Sequence, residues 1–155
     1  MSRASKYFSG EDLACRGAGY VRVPRDIQEA DAFWSVLHVG DEIRADFGHP
    51  LVCRSGWRST AHNLRIGGAW RSMHKVLALD LAPRYREFPV DEDYARAIAD
   101  LGTVVESHFA SLGGIGRYNS FIHIDCRQRM RRPIARWEDN ATWRRYERLE
   151  RSVIV

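Results

Sequence analysis

The segment Phe121-Ile-His-Ile-Asp-Cys126 sets a histidine and a carboxylate two residues apart. Side chains alternate faces along a strand, so Phe121, His123 and Asp125 share one face and Ile122, Ile124 and Cys126 the other. The second set suits a core. The first is either a polar site or an exposed strand face with two polar residues. The segment Ser72-Met-His-Lys-Val-Leu-Ala-Leu-Asp80 has the same character: Leu77, Leu79 and Leu81 line one face, Ala78 and Asp80 the other. An unpaired carboxylate among apolar neighbours is costly, and a metal ion or an arginine would offset that cost. His74 stands six residues before Asp80. Six extended residues span roughly 20 Å. Two ligands of one zinc ion bring their donor atoms to about 3 Å from each other. A shared ion therefore requires residues 75–78 to turn back before the strand begins.

The elements that must position these groups follow from periodicity and punctuation. Ser9 and Asp12 read as the cap and N3 position of a short helix, which Gly17 and Gly19 limit. Ile27, Ala30, Trp34, Leu37 and Ile43 recur at helical spacing and predict one helix from about Asp26 to Phe47, stopped by Gly48 and Pro50. Leu51 to Ser55 reads as a buried strand. Residues 56–74 read as an ordered loop with one helical turn, and Val76 to Leu81 as a strand. Asp91 is a candidate cap for a helix to about Phe109. Gly113 to Gly116 reads as a turn, and Phe121 to Cys126 as a strand. Trp143, Tyr146, Leu149 and Val153 predict an amphipathic helix over about 140–152. The expected fold is α+β, a single domain over 1–155, with helices around a small, mainly antiparallel sheet.

A chain of 155 residues, 45% hydrophobic and 28% charged, fits one globular core. No apolar run approaches the roughly 20 residues a membrane span needs. The basic start Met1 to Lys6 is followed by no apolar run, so no secretory signal is read there. Three cysteines, Cys15, Cys53 and Cys126, lack CxxC spacing, which argues against a disulfide framework or a thiolate cluster and for small buried thiols. The net charge of +4 suits an anionic partner, nucleic acid or acidic cell-wall polymer, without choosing between them.

Several separated segments, in order, resemble a known family. They are Tyr7-Phe-Ser-Gly-Glu-Asp-Leu-Ala-Cys15, Ser55-Gly-Trp-Arg-Ser59, His62-Asn63, Gly67-Gly-Ala69, Ser72-Met-His74, Ala78-Leu-Asp80, Gly114-Ile-Gly-Arg-Tyr118, Phe121-Ile-His-Ile-Asp125 and Arg136-Trp137. Together they resemble the M15 peptidases, the D-Ala-D-Ala carboxypeptidase and endopeptidase family, and within it the small cell-wall hydrolases and phage endolysins. The resemblance implies a hedgehog-like α+β fold with a mononuclear Zn2+ site on His74, Asp80 and His123. It implies that Arg58 binds a substrate carboxylate or steadies an oxyanion, and that Ser72 supports the site or caps its loop. It further implies action on peptidoglycan stem peptides or cross-links; a monomer is expected, and the lack of a secretory signal fits a phage lysis enzyme released to the wall or a virion component. The family usually steps seven positions from its first histidine to the aspartate, with a Gly in that step. Here the step is six, with Lys75-Val76-Leu77 in the turn. Many relatives carry an acid three residues before the last histidine; here that position is Ser120. Asp125 is then the expected general base, with orientation of a metal ligand or a pair with Arg127 as its other reading.

Two other functions fit parts of the sequence. Arg127, Arg129, Arg131, Arg132 and Arg136, with Trp143 and Tyr146 beyond, could bind phosphates and stack bases as a nucleic-acid module. Glu138, Asp139, Glu147 and Glu150 dilute that stretch. A zinc-binding protein of the same fold without catalysis is the other reading, motivated by the short His74–Asp80 step.

Overall fold

The computed structural model describes residues 4–17 and 22–139, and the expected helix over about 140–152 lies outside them. Alternation along two neighbouring strands organises the molecule. β2 (Ala78–Pro83) and β4 (Ile122–Asp125) pair antiparallel, with Leu79 opposite Ile124 and Leu81 opposite Ile122. Those four side chains are wholly buried. They meet Val36, Leu37 and Ile43 of α3 (Asp31–Phe47), and Leu101 and Val105 of α5 (Asp91–Ser107), in one apolar cluster. Each such side chain removed from water contributes roughly 1.5–3 kcal/mol. The other face of the same ladder pairs Ala78 with Asp125 and Asp80 with His123. Burial of one face thus fixes the register that sets the polar residues opposite each other, because a slip of one residue would exchange the two faces.

Five strands form the sheet in the order β1-β2-β4-β3-β5, where β1 is Leu51–Ser55, β3 Gly114–Tyr118 and β5 Ala135–Asp139. Three pairings are antiparallel, and the edge pair β3–β5 is parallel. The α+β architecture expected from the sequence is the one observed. The short helix α1 (Gly10–Leu13) carries the full Ser9–Asp12 capping box.

Some expectations need correction. The helix expected from Asp26 to Phe47 is two, α2 (Arg25–Gln28) and α3, because Ala30 is extended (φ −71°, ψ 132°). The indole N–H of Trp34 donates to the Gln28 carbonyl at 2.6 Å, satisfying a group the break leaves open. Asp91 is the first residue of α5 rather than its cap, which is Val90; Asp91, Glu92 and Asp93 instead place negative charge on its N-terminal turn. Gly113 to Gly116 is not a turn: Gly114 and Gly116 lie inside β3. A Cβ at Gly114 would stand 2.3 Å from Asp125 Oδ2, and one at Gly116 would stand 2.4 Å from Trp137 Cε2. These glycines serve close approach rather than chain reversal. β5 was not anticipated.

The three described cysteines are free and buried. Burial pushes the thiols of Cys53 and Cys126 up to about 12, so neither is a thiolate ligand at neutral pH. Among the described residues no helix is long and apolar enough to cross a membrane.

Candidate metal centre

The loop from β1 to β2 delivers His74. Ser59 caps α4 (Thr60–Arg65) by accepting from the His62 amide. The chain then closes a 3-10 turn over Met73–Lys75, where Ser72 Oγ accepts from the His74 amide. Ser72 is thus a loop cap. Val76 completes the reversal by donating to the Met73 carbonyl, two residues before β2 starts. The turn needs no left-handed residue, since Arg131 is the sole non-glycine with positive φ among the described residues. The six-residue step without glycine therefore brings His74 Nε2 to 3.2 Å from Asp80 Oδ1. The loop is fastened from outside as well. Trp57 Nε1 donates to the Lys75 carbonyl at 3.1 Å, and the Arg58 amide to the His74 carbonyl at 2.7 Å.

His74, Asp80 and His123 are all buried, and one donor atom from each lies within 4.8 Å of the others. His123 Nδ1 stands 3.0 Å from Asp80 Oδ1. The outward nitrogens determine what these inward atoms can be. His74 Nδ1 lies 2.6 Å from the carbonyl oxygen of Gly56, which only accepts, so Nδ1 carries the proton and a neutral His74 turns a lone pair inward at Nε2. His123 Nε2 lies 2.8 Å from Asp125 Oδ2. Asp125 is ionised, because Arg127 reaches it through its amide, Nε and Nη2, the last at 2.7 Å. His123 therefore donates from Nε2, and its inward Nδ1 becomes a lone-pair donor when a cation replaces the proton shared with Asp80. Nε2 of His74, Nδ1 of His123 and a carboxylate oxygen of Asp80 converge in a buried space. That donor set fits a divalent cation of zinc type, whose catalytic sites take three protein ligands and an exchangeable fourth. Carbonyl–histidine and carboxylate–histidine contacts of this kind also orient metal ligands and raise their basicity.

The electrostatics agree. Burial disfavours the charged form of every member. Before a cation binds, protons on the inward nitrogens of His123 and His74 nonetheless hold the Asp80 carboxyl well below the usual carboxylate range. Those from His123 and Arg127 do the same for Asp125. Burial also opposes the His123 imidazolium, but hydrogen bonds to Asp125 and Asp80 outweigh it and raise its pKa. Burial lowers that of His74, with Asp80 offsetting part of the effect. A raised imidazole between two carboxylates marks a place short of positive charge.

Arg58 sits at the rim of the centre. Its Nη2 is 3.6 Å from Asp80 Oδ2, and Ser55 Oγ fixes its Nε at 3.1 Å. Its side chain keeps 18% exposure, against 6% for Asp80. Of the two readings of Asp125, general base or partner of a metal ligand and of Arg127, its contacts are those of the second. It is fully buried behind His123, and both oxygens are engaged by His123 and Arg127. The more distant acids and bases are engaged elsewhere: Glu106 pairs with Arg117 at 3.1 Å, and His108 with Asp46 at 2.7 Å.

Other groups complete the site. The Gly56 carbonyl carries no sequence signal, since a backbone acceptor has no side chain to notice. Arg127 is the partner that the second reading of Asp125 names. Trp137 packs its ring 5.1 Å from that of His123. The Arg127 guanidinium lies over its ring at 5.1 Å, and its Nε1 donates to Tyr118 Oη at 2.8 Å. His123, Asp125, Arg127 and Trp137 thus close a ring of contacts around one imidazole. Alternate spacing from His123 through Asp125 to Arg127 was the available clue.

Comparison with known proteins gives one match: residues 6–125 fit the family model described as Peptidase M15. No curated protein and no solved structure matches the chain significantly.

Proposed function

Because this chain belongs to the M15 peptidases, a family of zinc metallopeptidases, we propose that it hydrolyses amide bonds in the peptide part of bacterial cell wall, with zinc on His74, Asp80 and His123. One observation carries the reading: the outer partners Gly56 and Asp125 commit both imidazoles, leaving three lone-pair donors converging on one point. Zinc bound there supplies Lewis acidity to a carbonyl and lowers the pKa of a water toward about 7. The chain's own residues do the rest. Arg58 offers a planar guanidinium to a substrate carboxylate or a developing oxyanion. Asp125 acts on His123, fixing its tautomer and ring plane, rather than on solvent. Ser72 and Trp57 hold the turn that presents His74.

Zinc content and mass spectrometry of muropeptides after digestion test this together. Zinc at one ion per chain with newly freed stem-peptide termini is the expected result, and the masses assign the bond as D,D, L,D or L-Ala-D-Glu. Zinc at that stoichiometry with an unchanged muropeptide profile would replace the hydrolase with the non-catalytic zinc protein. The short His74–Asp80 step that motivates that second reading does not displace His74, which stays in reach of Asp80.

A further inference from the structure

Two stretches of the sequence contain no acidic residue, Gly56 to Leu79 and Cys126 to Trp137. They hold nine of the 24 Lys and Arg residues, which leaves 15 for the remaining chain against all 20 Asp and Glu. The positive charge is therefore concentrated, and Arg132 joins the second stretch to the first beside the metal centre. Arg132 Nη1 donates to the Arg71 carbonyl at 2.7 Å and lies 3.4 Å from Met73 Sδ, next to His74. Lys75 Nζ donates to the Trp70 carbonyl at 2.8 Å. Of the nine cations, Arg58 and Arg127 are engaged by Asp80 and Asp125, and Arg136 holds the carbonyls of Phe109, Leu112 and Gly113. No ion pair among the described residues takes up Arg71, Lys75, Arg129, Arg131 or Arg132.

Trp70 tops this rim at 80% exposure. Its loop is not loose: the neighbouring Ala69 carbonyl accepts from Asn63 Nδ2 and from the Ser72 amide, both at 2.9 Å. The Arg71 guanidinium lies 5.6 Å from the centre of the indole. A large apolar ring is thus held in water by a fixed backbone, flanked by cations without carboxylate partners. Such a combination matches a ligand with both carboxylates and ring-shaped C–H faces.

We propose that this rim grips the polyanionic glycan-peptide strand that carries the scissile bond: its free stem-peptide carboxylates against Arg71, Lys75 and Arg132, and a sugar ring against Trp70. The inference rests on the peptidase reading above for the identity of the polymer. A single-stranded nucleic acid would call for a series of stacking aromatics, whereas this rim has one exposed indole.

The test is co-sedimentation of the full-length protein with purified sacculi across a salt series, a readout that needs no hydrolysis. The double variant Arg71→Glu/Arg132→Glu should bind about tenfold more weakly, with a shallower salt dependence. Trp70→Ala should weaken binding with the salt dependence unchanged. Arg71→Lys/Arg132→Lys should retain binding, which shows that charge and not a folding defect is being read. Undiminished sedimentation of the charge-reversed variant would overturn the proposal. So would tighter binding to an oligodeoxythymidylate of matched charge than to sacculi. Intact binding to sacculi that the wild type leaves undigested would remove the hydrolase and leave this surface standing.

Discussion

Asp80 and His123 face each other directly across the β2–β4 ladder, with carboxylate oxygen and imidazole nitrogen 3.0 Å apart. Residues 43 positions apart in the chain are made neighbours by two apolar pairs on the reverse of the same strands, Leu79–Ile124 and Leu81–Ile122. The core is thus the scaffold on which the metal centre is aligned, and substitutions on either face have distinct expected consequences.

Removing a ligand should remove the ion. His123→Ala is expected to reduce zinc content from one per chain to near zero and to abolish release of soluble murein. Zinc analysis after dialysis, with turbidity loss of a sacculus suspension, measures both. Full lysis by this variant would show that the reaction runs elsewhere.

Asp125→Asn separates orientation from base catalysis. Asparagine still offers an acceptor to His123 but loses the charge that Arg127 neutralises. Loss of such an outer partner should weaken zinc affinity by about 10–100-fold, with turnover largely recovered in excess zinc. Chelator competition and zinc-saturated rates distinguish the cases. Unchanged affinity with abolished turnover would instead assign Asp125 the base role.

Gly116→Ala should act through Trp137. The added Cβ would lie 2.4 Å from the indole, so the ring must move off His123. Overpacking of this kind costs about 1–3 kcal/mol. Trp137→Ala should remove the clash, so the double variant should be less unstable than the two single losses combined. Urea unfolding of the four proteins gives the coupling, and strict additivity would mean that the indole does not mediate the effect.

The metal-free protein should lose stability in acid. Asp125 has a folded-state pKa below its unfolded value of about 3.9, so it stabilises the fold above that value. The contribution falls as pH drops through the unfolded pKa toward the lower folded one. Asp80 acts in the same direction. Chemical unfolding at pH 5 and pH 3 should show lower stability at pH 3, with a smaller decrease in Asp125→Asn. Equal decreases in both would mean that other carboxylates govern the acid limb.

Much of this was readable in one dimension. Alternation along 77–81 and 121–126 named the core residues and the polar face, because a strand has a fixed period of two. The Ser9–Asp12 capping box and the stop at Gly48 were equally local. The ordered motifs suggested the family and the three donors, which the fold brings together. What failed was decided by distant contacts. Gly114 and Gly116 looked like turn residues, yet they make room for Asp125 and Trp137. β5 exists because it pairs with β3, an attachment no local pattern announces.

The sequence by itself determined which residue types were available and which faces were apolar, since propensity and period act over a few neighbours. The tertiary structure alone decided that Nε2 of His74 and Nδ1 of His123 are the inward atoms, because their tautomers depend on a carbonyl at Gly56 and a carboxylate at Asp125. It also decided that both oxygens of Asp125 are taken by His123 and Arg127. A side chain's chemistry is settled by what occupies its hydrogen-bonding positions, and those occupants came from strands and loops far away in the chain.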